Sequence, residues 1–522
     1  MNITQLKKWA SAFVKIYISA VLLYQTLWQI VPVRVFLCNT GLDAISSVLA
    51  VLGFAFLAVD IFIERTAVKS KYSVFLIAAV AVMGLSSLVY INYGWGDNAK
   101  VIVWQVVQMF LIYSFYLRMD RERLRAYLRD MFIIVSAVFT VAVIASLYQY
   151  VMQTSYVVQV DGGNCRQGFQ EGRLFGVFGS IYFASLLISL LGVGSVYSAV
   201  KSRKKWLKAL FALQALLFFI YVVLSGTRSV LVALIIGIIL CAAVCARNVI
   251  NSRKINFKKW GKALCAAAAS VACAVVFLGA YASAEKLLVK IPSWAGTVQD
   301  ETNQPQPGLP DEDVSDAVID DILTRPDVHG DVSNNRFSIW KDYFNCVFSG
   351  VKPALLGFSP GAYMKIIKQE FPDIFIVSYI RDKYPLSYSL DRIYDTHNGY
   401  VALAAGTGLL GLLAMGAFLA LYAYTTLRHF IRSKKTELFE VLLFTLLAVI
   451  VVSVFFDSDL FYKCTCTSVI FWLLAGFMMK EIDCASVQGA PAAGEEAGLE
   501  EKTPGFCSEL EEKKEDSAAE TD

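Results

Sequence analysis

Charged residues are scarce in this sequence. Asp, Glu, Lys and Arg make up 17% of its 522 residues, whereas soluble proteins carry about 25%. Hydrophobic residues make up 57%, and they recur in runs of about 18 or more, long enough to cross a hydrocarbon core of about 30 Å. This balance excludes an ordinary soluble protein. Because backbone polar groups must find partners within lipid, we expect the runs to be helices.

The motifs of soluble nucleotide sites and hydrolase sites are also missing. The sequence contains no Walker loop, HExxH or GxSxG pattern. It has only three histidines, and its eleven cysteines are dispersed without a neighbouring histidine, so no zinc-type spacing is present. We therefore expect no metal and no cofactor, and we find no nucleic-acid motif.

The apolar runs predict the architecture. We predict an all-α polytopic membrane protein with about 12 transmembrane helices and one large extracytoplasmic loop domain between helices 9 and 10. The predicted spans are 12–33, 42–63, 73–93, 100–118, 131–152, 176–200, 207–226, 229–247, 263–283, 398–426, 437–456 and 464–480.

Four regions follow from these spans. Residues 1–283 hold helices 1–9, 284–397 the loop domain, and 398–482 helices 10–12. Residues 483–522, with twelve acidic residues against three lysines, predict a disordered acidic cytoplasmic tail. Within the loop domain, residues 297–331 are acidic and rich in Pro and Gly, which predicts flexibility.

Basic residues follow the even-numbered spans. After spans two, four, six, eight and ten the sequence carries Arg65 and Lys69, Arg118 and Arg121, Lys201 and Arg203, Arg247 and Arg253, and Arg428 and Arg432. By the positive-inside rule both termini are cytoplasmic and the long loop faces outward. We expect a multi-pass protein of the cytoplasmic (inner) membrane. The first run is too long for a cleaved signal peptide and should remain as an anchor.

Arg228 breaks this trend on the predicted outer side, where Arg173 and Arg336 also lie. Further candidates stay open in the long loop: Arg325, Arg381 and Arg392. Arg228 lies in a hairpin between two apolar spans, Arg173 precedes span six, and Arg336 begins an amphipathic segment. Each could be a snorkelling arginine bound to lipid phosphate. Together they favour a site for a charged lipid headgroup, because the guanidinium fork grips phosphate oxygens bidentately.

His397 and several carboxylates share that side. His397 starts span ten, where Asp395 and Thr396 would suit helix capping. Asp457 and Asp459 lie between spans eleven and twelve. Paired carboxylates there could hold a divalent ion, orient a base, or simply cap a helix end.

Several segments occur together in one order. They are Arg173–Gly176, Leu224–Ala233, Asn335–Trp340 followed by Leu355–Tyr363, and His397–Val401 with Gly406–Gly411. In register they resemble the bacterial O-antigen ligase and polymerase superfamily, polyprenyl-diphosphate-dependent membrane glycosyltransferases. Ser359-Pro360 departs from that family's usual Gly-x-Gly.

The resemblance implies an inverting, metal-independent transferase. It would move a glycan from undecaprenyl diphosphate to an acceptor hydroxyl, a glycan or a lipid, on the outer face of the cytoplasmic membrane. Arg228 and Arg336, with Arg173 as a further cation, would bind the diphosphate, and His397 would accept the acceptor proton. Asp395 and Asp457 are candidate orienting carboxylates. The expected partners are these substrates and membrane lipids, without nucleic acid.

Two alternatives stay open. A repeat-unit polysaccharide polymerase of the same superfamily shares the chemistry. Some of these polymerases carry a glycine eleven residues after an arginine. In this chain Ala184 stands at that distance from Arg173, and Val347 at that distance from Arg336, which weakly favours a ligase. From a different class, a lipid-linked sugar flippase or transporter would show internal repeats and charges at the bilayer midplane. We find no such repeat.

Overall fold

Helices occupy all twelve apolar runs in the computed structural model of the protein, which describes residues 3–160, 163–252, 259–295, 335–433 and 436–488. The predicted acidic segment 297–331 and most of the predicted tail lie outside the described residues. The α-helices are α1 (Ile3–Trp28), α2 (Val31–Asn39), α3 (Ile45–Ile63), α4 (Thr66–Lys69), α5 (Ser73–Val89), α6 (Trp95–Val106, continued by π and 3-10 turns to Leu117), α7 (Arg121–Val151), α8 (Ile181–Lys201), α9 (Lys205–Ser225), α10 (Arg228–Ser252), α11 (Lys259–Leu288), α12 (Ile291–Trp294), α13 (Arg336–Val347), α14 (Val351–Leu356), α15 (Tyr363–Glu370), α16 (Phe375–Lys383), α17 (Pro385–Ser389), α18 (Gly399–Arg432), α19 (Leu438–Ser453) and α20 (Cys466–Gln488).

Nine helices of the described residues are long and apolar enough to cross a membrane, and α5 and α19 are shorter apolar helices of 17 and 16 residues. The chain is therefore a multi-pass membrane protein, while the count of twelve spans stays a prediction. It divides into two units, Met1–Ile482 and Asp483–Asp522. The predicted first span, 12–33, was wrong at its end: α1 stops at Trp28, and Pro32 stands in the first turn of a separate helix.

A small sheet corrects the all-α expectation. Strands β1 (Ser155–Val160), β2 (Gly163–Gln170) and β3 (Arg173–Gly176) form an antiparallel sheet between α7 and α8. Glu171 and Gly172 form the two-residue turn between β2 and β3, both with positive φ (50° and 66°), as a type I′ hairpin requires. The sheet delays the next helix, so the predicted span 176–200 begins at Ile181 instead.

Buried ion pairs join the ends of the even-numbered spans. The Arg118 guanidinium contacts Asp60 at 2.5 Å and Glu64 at 2.6 Å, and Arg121 and Arg125 both reach Glu481 at 2.6 Å. These side chains follow or precede different spans, so the basic connections meet at one end of the bundle. We call it the basic end. Its cytoplasmic orientation remains a prediction.

Helix α13 confirms the amphipathic segment but not its predicted face. The spacing of Phe337, Trp340, Phe344 and Val347, three or four residues apart, predicts one apolar helical face. In the structure Phe337 and Phe344 are exposed. The residues that α13 buries are Ile339, Tyr343, Cys346 and Val347. Helical periodicity alone leaves the rotation of a helix open by one residue, and here contacts with later segments decide it.

Two glycine-containing segments meet backbone to backbone beside α18. The N–H of Phe358 donates to the carbonyl of Ala405 at 2.7 Å. Gly357 and Gly408 face each other there with φ of 65° and 60°, and Gly408 breaks the helical geometry of α18. A Cβ on either would lie 2.5 Å from a backbone atom of the other segment. The contact seats the described part of the long connection on α18.

Candidate active site

His397 stands just before α18 in a conformation that few residues adopt. Its φ is +44°, in the left-handed region that costs a non-glycine residue free energy. The cap of α18 is Asn398, whose side-chain oxygen accepts the N–H of Tyr400 at 2.9 Å and of Val401 at 3.2 Å. The expected capping by Asp395 and Thr396 is therefore wrong, and His397 has no capping role.

The imidazole of His397 is half-buried. Its ring meets the edge of Tyr394 with centroids 5.7 Å apart. No side chain or backbone group of the described residues hydrogen-bonds it. A half-buried imidazole with unoccupied nitrogens can exchange a proton with a bound molecule.

Helix α13 holds the segment that precedes His397. The indole N–H of Trp340 donates to the carbonyl of Thr396 at 2.9 Å, and the hydroxyl of Tyr343 donates to the carbonyl of Tyr394 at 2.7 Å. Arg336 begins the same helix one turn before Trp340. These two hydrogen bonds therefore fix the base of Arg336 relative to His397.

The Arg336 guanidinium is half-buried and lies over the ring of Phe456, 5.9 Å from its centroid. No acidic group of the described residues forms an ion pair with it. It is also within electrostatic range of Tyr182 in α8 and of Tyr394. A cation held by aromatic rings without a carboxylate partner is available to an anionic ligand.

Asp395 belongs to a group of charged side chains, two half-buried and two buried, that we call the carboxylate cluster: Asp395, Lys463, Asp457 and Asp459. Both oxygens of Asp395 accept from the Ser458 hydroxyl at 3.1 Å, and Lys463 lies 3.4 Å away. Burial opposes ionisation of Asp395, but Lys463, His397 and Ser458 outweigh it and lower the pKa of Asp395 to about 2. Asp395 is thus a fixed negative charge beside His397.

The other members of the cluster titrate differently. Burial and the neighbouring Asp395 raise the pKa of Asp457. Burial and the neighbouring Asp457 raise the pKa of Asp459 well above its usual range, and neither carboxyl oxygen of Asp459 has a hydrogen-bond partner among the described residues. Burial disfavours the charged form of Lys463, but the three carboxylates prevail and raise its pKa. One lysine therefore faces three aspartates, and burial favours the neutral form of Asp459.

Helix α8 connects the cluster to Arg228. The Tyr182 hydroxyl donates to the carbonyl of Ser453 at 2.6 Å and lies within electrostatic range of Asp457 and Asp459. One turn further, Ser185 accepts the hydroxyl of Thr227 at 3.2 Å. Arg228 follows Thr227 at the start of α10.

The Arg228 side chain is exposed and forms no ion pair with the described residues. Arg228 therefore lies at the same end of α8 as the carboxylate cluster.

Arg173 occupies a separate position. It is half-buried in β3, which packs against α7, α8 and α9. The carbonyl of Phe175, two residues on, accepts the hydroxyl of Tyr221 in α9 at 3.1 Å. The structure thus brings His397, Asp395, Asp457 and Arg336 together and places Arg228 at the same end of α8. Arg173 lies separately on the sheet.

Residues 212–416 match the family model described as O-antigen ligase. The matched region covers 205 of the 522 residues and supports the resemblance of the chain to the O-antigen ligase and polymerase superfamily. Together with the apolar helices, it supports a membrane enzyme of the O-antigen ligase and polymerase type. No curated protein matches the chain. The ligase match runs from α9 into α18, so it contains Arg228, Arg336 and His397, while Arg173 and the residues between α19 and α20 lie outside it.

Sequence reasoning overlooked three side chains of the O-antigen ligase-like site. Ser458 and Lys463 bind Asp395, and Tyr182 lies between Arg336 and the cluster. Lys463 carried a usable signal, since it is a lone lysine shortly after two aspartates in a loop with few basic residues. Tyr182, within an apolar run, carried none.

Proposed function

We propose that this O-antigen ligase-type enzyme moves a glycan from undecaprenyl diphosphate to an acceptor hydroxyl on the outer face of the cytoplasmic membrane. The single observation that supports this most is the combination of His397 and Arg336 on segments bonded to each other through Trp340 and Thr396. One side chain of this pair can accept a proton, and the other can bind an anion.

The leaving group sets the first requirement. A glycosyl diphosphate already leaves as a stable anion, so the reaction needs no general acid. Negative charge grows on the diphosphate oxygens in the transition state, where fixed cations stabilise it most. Arg336 and Arg228, both without ion pairs to the described residues, are the cations we assign to this role. Arg173 would supply a further cation for the diphosphate on the side of the site next to the sheet.

The nucleophile sets the second requirement. His397 takes the proton of the acceptor hydroxyl as the acceptor oxygen bonds to the anomeric carbon, and the bond from that carbon to the diphosphate oxygen breaks with its electron pair. Ionised Asp395 lies close enough to stabilise the resulting imidazolium, with Asp457 behind it. A single displacement of this kind inverts the anomeric carbon. No metal ion takes part in these steps.

Transfer by purified protein tests the proposal. Wild-type protein reconstituted with an undecaprenyl-diphosphate-linked glycan and an acceptor should transfer the glycan, and His397→Ala and Arg228→Ala should each remove activity without removing expression. Arg381→Ala is a matched control, because Arg381 lies in the same long connection but pairs with Asp382 on the surface. Full activity of both site variants would refute the assignment.

A polymerase acting on repeat units uses the same chemistry with another acceptor. The lipid-linked chains of a deletion strain separate the two cases. Long chains left unattached would indicate a ligase, and single repeat units would indicate a polymerase. A transporter would instead move the donor across a sealed membrane without forming a new glycosidic bond.

A further inference from the structure

A large cavity opens at the basic end of the bundle, away from the candidate active site. Its volume is about 1110 Å³. Apolar side chains from seven helices, α1, α7, α8, α9, α10, α19 and α20, form most of its wall; they include Phe132, Leu190, Leu207, Phe211, Leu446 and Ile470. A dry cavity of this size within a membrane protein suits hydrocarbon chains.

The depth of the cavity corresponds to one leaflet. On α8 the lining residues extend from Leu190 to Lys201, about 16 Å at 1.5 Å per residue. That is close to half of a hydrocarbon core of about 30 Å. A lipid that enters from the leaflet at the basic end would therefore place its headgroup at Lys201 and its chains near Leu190.

The cavity is separate from the candidate active site. Tyr182 precedes Leu190 by eight residues on α8, about 12 Å along the helix axis. Leu186 and Leu187, which lie between them, are almost fully buried. A lipid-linked donor whose diphosphate binds near Arg336 would therefore not reach this cavity with its polyprenyl tail through the candidate active site.

The rim of the cavity carries more basic than acidic charge. Arg125 is engaged by Glu437 at 2.8 Å and by Glu481 at 2.6 Å. Arg129 contacts Asp130 at 2.9 Å, but both side chains are more than half exposed, so that pair is weak. Glu122 is the acidic rim residue that would oppose an anion.

Lys201 is exposed and has no ion pair with the described residues. The connection that follows it and the start of α9 add three exposed basic side chains, Arg203, Lys204 and Lys205. Basic residues beside an apolar membrane cavity attract the phosphate of anionic lipids.

We propose that this cavity binds an anionic glycerophospholipid, with its acyl chains among the apolar walls and its phosphate at Lys201 and Arg129. The bound lipid would fill the space between α7, α8 and α19 and so complete the packing of the basic half of the bundle. This site is independent of the proposed transfer reaction.

Lipid retention tests the proposal on the full chain. Protein would be reconstituted in bilayers of equal phosphatidylglycerol and phosphatidylcholine, extracted again in detergent, and its bound lipid quantified by mass spectrometry. We expect retained phosphatidylglycerol to be enriched over phosphatidylcholine. Lys201→Glu should reduce the enrichment by about fivefold or more, the effect of one basic contact with an anionic lipid.

Two further variants separate the cavity from the surface. Lys208→Glu makes the same charge change at an exposed residue of α9 that does not line the cavity, so it should retain the enrichment. Leu207→Trp fills the cavity without changing charge, so it should reduce the total lipid retained. Equal retention of the two phospholipids, an equal loss in Lys208→Glu, or recovery of a polyprenyl lipid in place of phospholipid would each overturn the proposal.

Discussion

The indole N–H of Trp340 donates a hydrogen bond of 2.9 Å to the carbonyl of Thr396. Thr396 immediately precedes His397, and Trp340 lies one turn after Arg336 on α13. One side chain therefore joins the segment that carries the proposed base to the helix that carries a proposed diphosphate ligand. This hydrogen bond would position His397 relative to Arg336, because Trp340 itself supplies neither charge nor a proton to the proposed reaction.

Replacing Trp340 with Phe tests this positioning role. The variant retains an aromatic ring but loses the donor. A neutral hydrogen bond contributes about 0.5–1.5 kcal/mol, so we expect turnover to fall about two- to tenfold with little change in donor KM. The measurement is steady-state transfer kinetics. Asn345→Ala, at an exposed position on the same helix, should leave turnover unchanged. An equal loss of turnover in both variants would show that any substitution in α13 lowers activity and would contradict a specific role of the Trp340 hydrogen bond.

The glycine contact between the two motif segments gives a stability prediction. Gly408→Ala must place a Cβ against backbone at a positive φ, so we expect a loss of about 1–3 kcal/mol and a lower melting temperature in detergent. Gly416→Ala is the matched control, because it lies on the same helix with no atom within 4 Å of its Cβ position, and it should be neutral or slightly stabilising. Equal melting temperatures would contradict the close approach seen beside α18.

Asp395 gives a pH prediction. Its pKa is lowered to about 2 from an ordinary value of 3.8. A depressed carboxyl pKa contributes stability that is present above the unfolded value and is lost as pH falls through the folded one. The contribution is about 2 kcal/mol. Wild-type protein should therefore lose stability as the pH falls from about 4 to about 2. The Asp395→Asn variant should be less stable than wild type at pH 7, and its free energy of unfolding should change less between these two pH values. Parallel pH profiles would show that Lys463 and Ser458 do not stabilise the carboxylate.

The sequence predicted the parts of the structure that depend on local pattern. Apolar runs marked all twelve helix positions, because length and hydrophobicity alone determine what can be buried in lipid. The motif residues Arg228, Arg336 and His397 were predicted because such side chains are unusual at the edges of apolar runs, and their roles stay a prediction. The positive φ of Ser359 (78°) explains why glycine is usual at this position of the motif, since the backbone conformation there favours glycine.

Other features depended on contacts between distant segments. Asp395 and Asn398 are both good capping residues, so only the backbone path shows that Asn398 caps α18. The buried face of α13 is set by the segment before His397. The ion pair of Lys463 with Asp395 joins residues 68 positions apart, and no local pattern encodes it. The sheet between α7 and α8 was missed because its strands are short and lie in a connection expected to be a loop.

The most direct test is transfer by purified, reconstituted protein in EDTA, with the anomeric configuration of the product determined by NMR. We predict that wild-type protein transfers the glycan with inversion, and that His397→Ala and Arg336→Ala each lower the rate by about 100-fold or more while they remain folded. Activity abolished by EDTA, retention of configuration, or wild-type rates in both variants would contradict the mechanism.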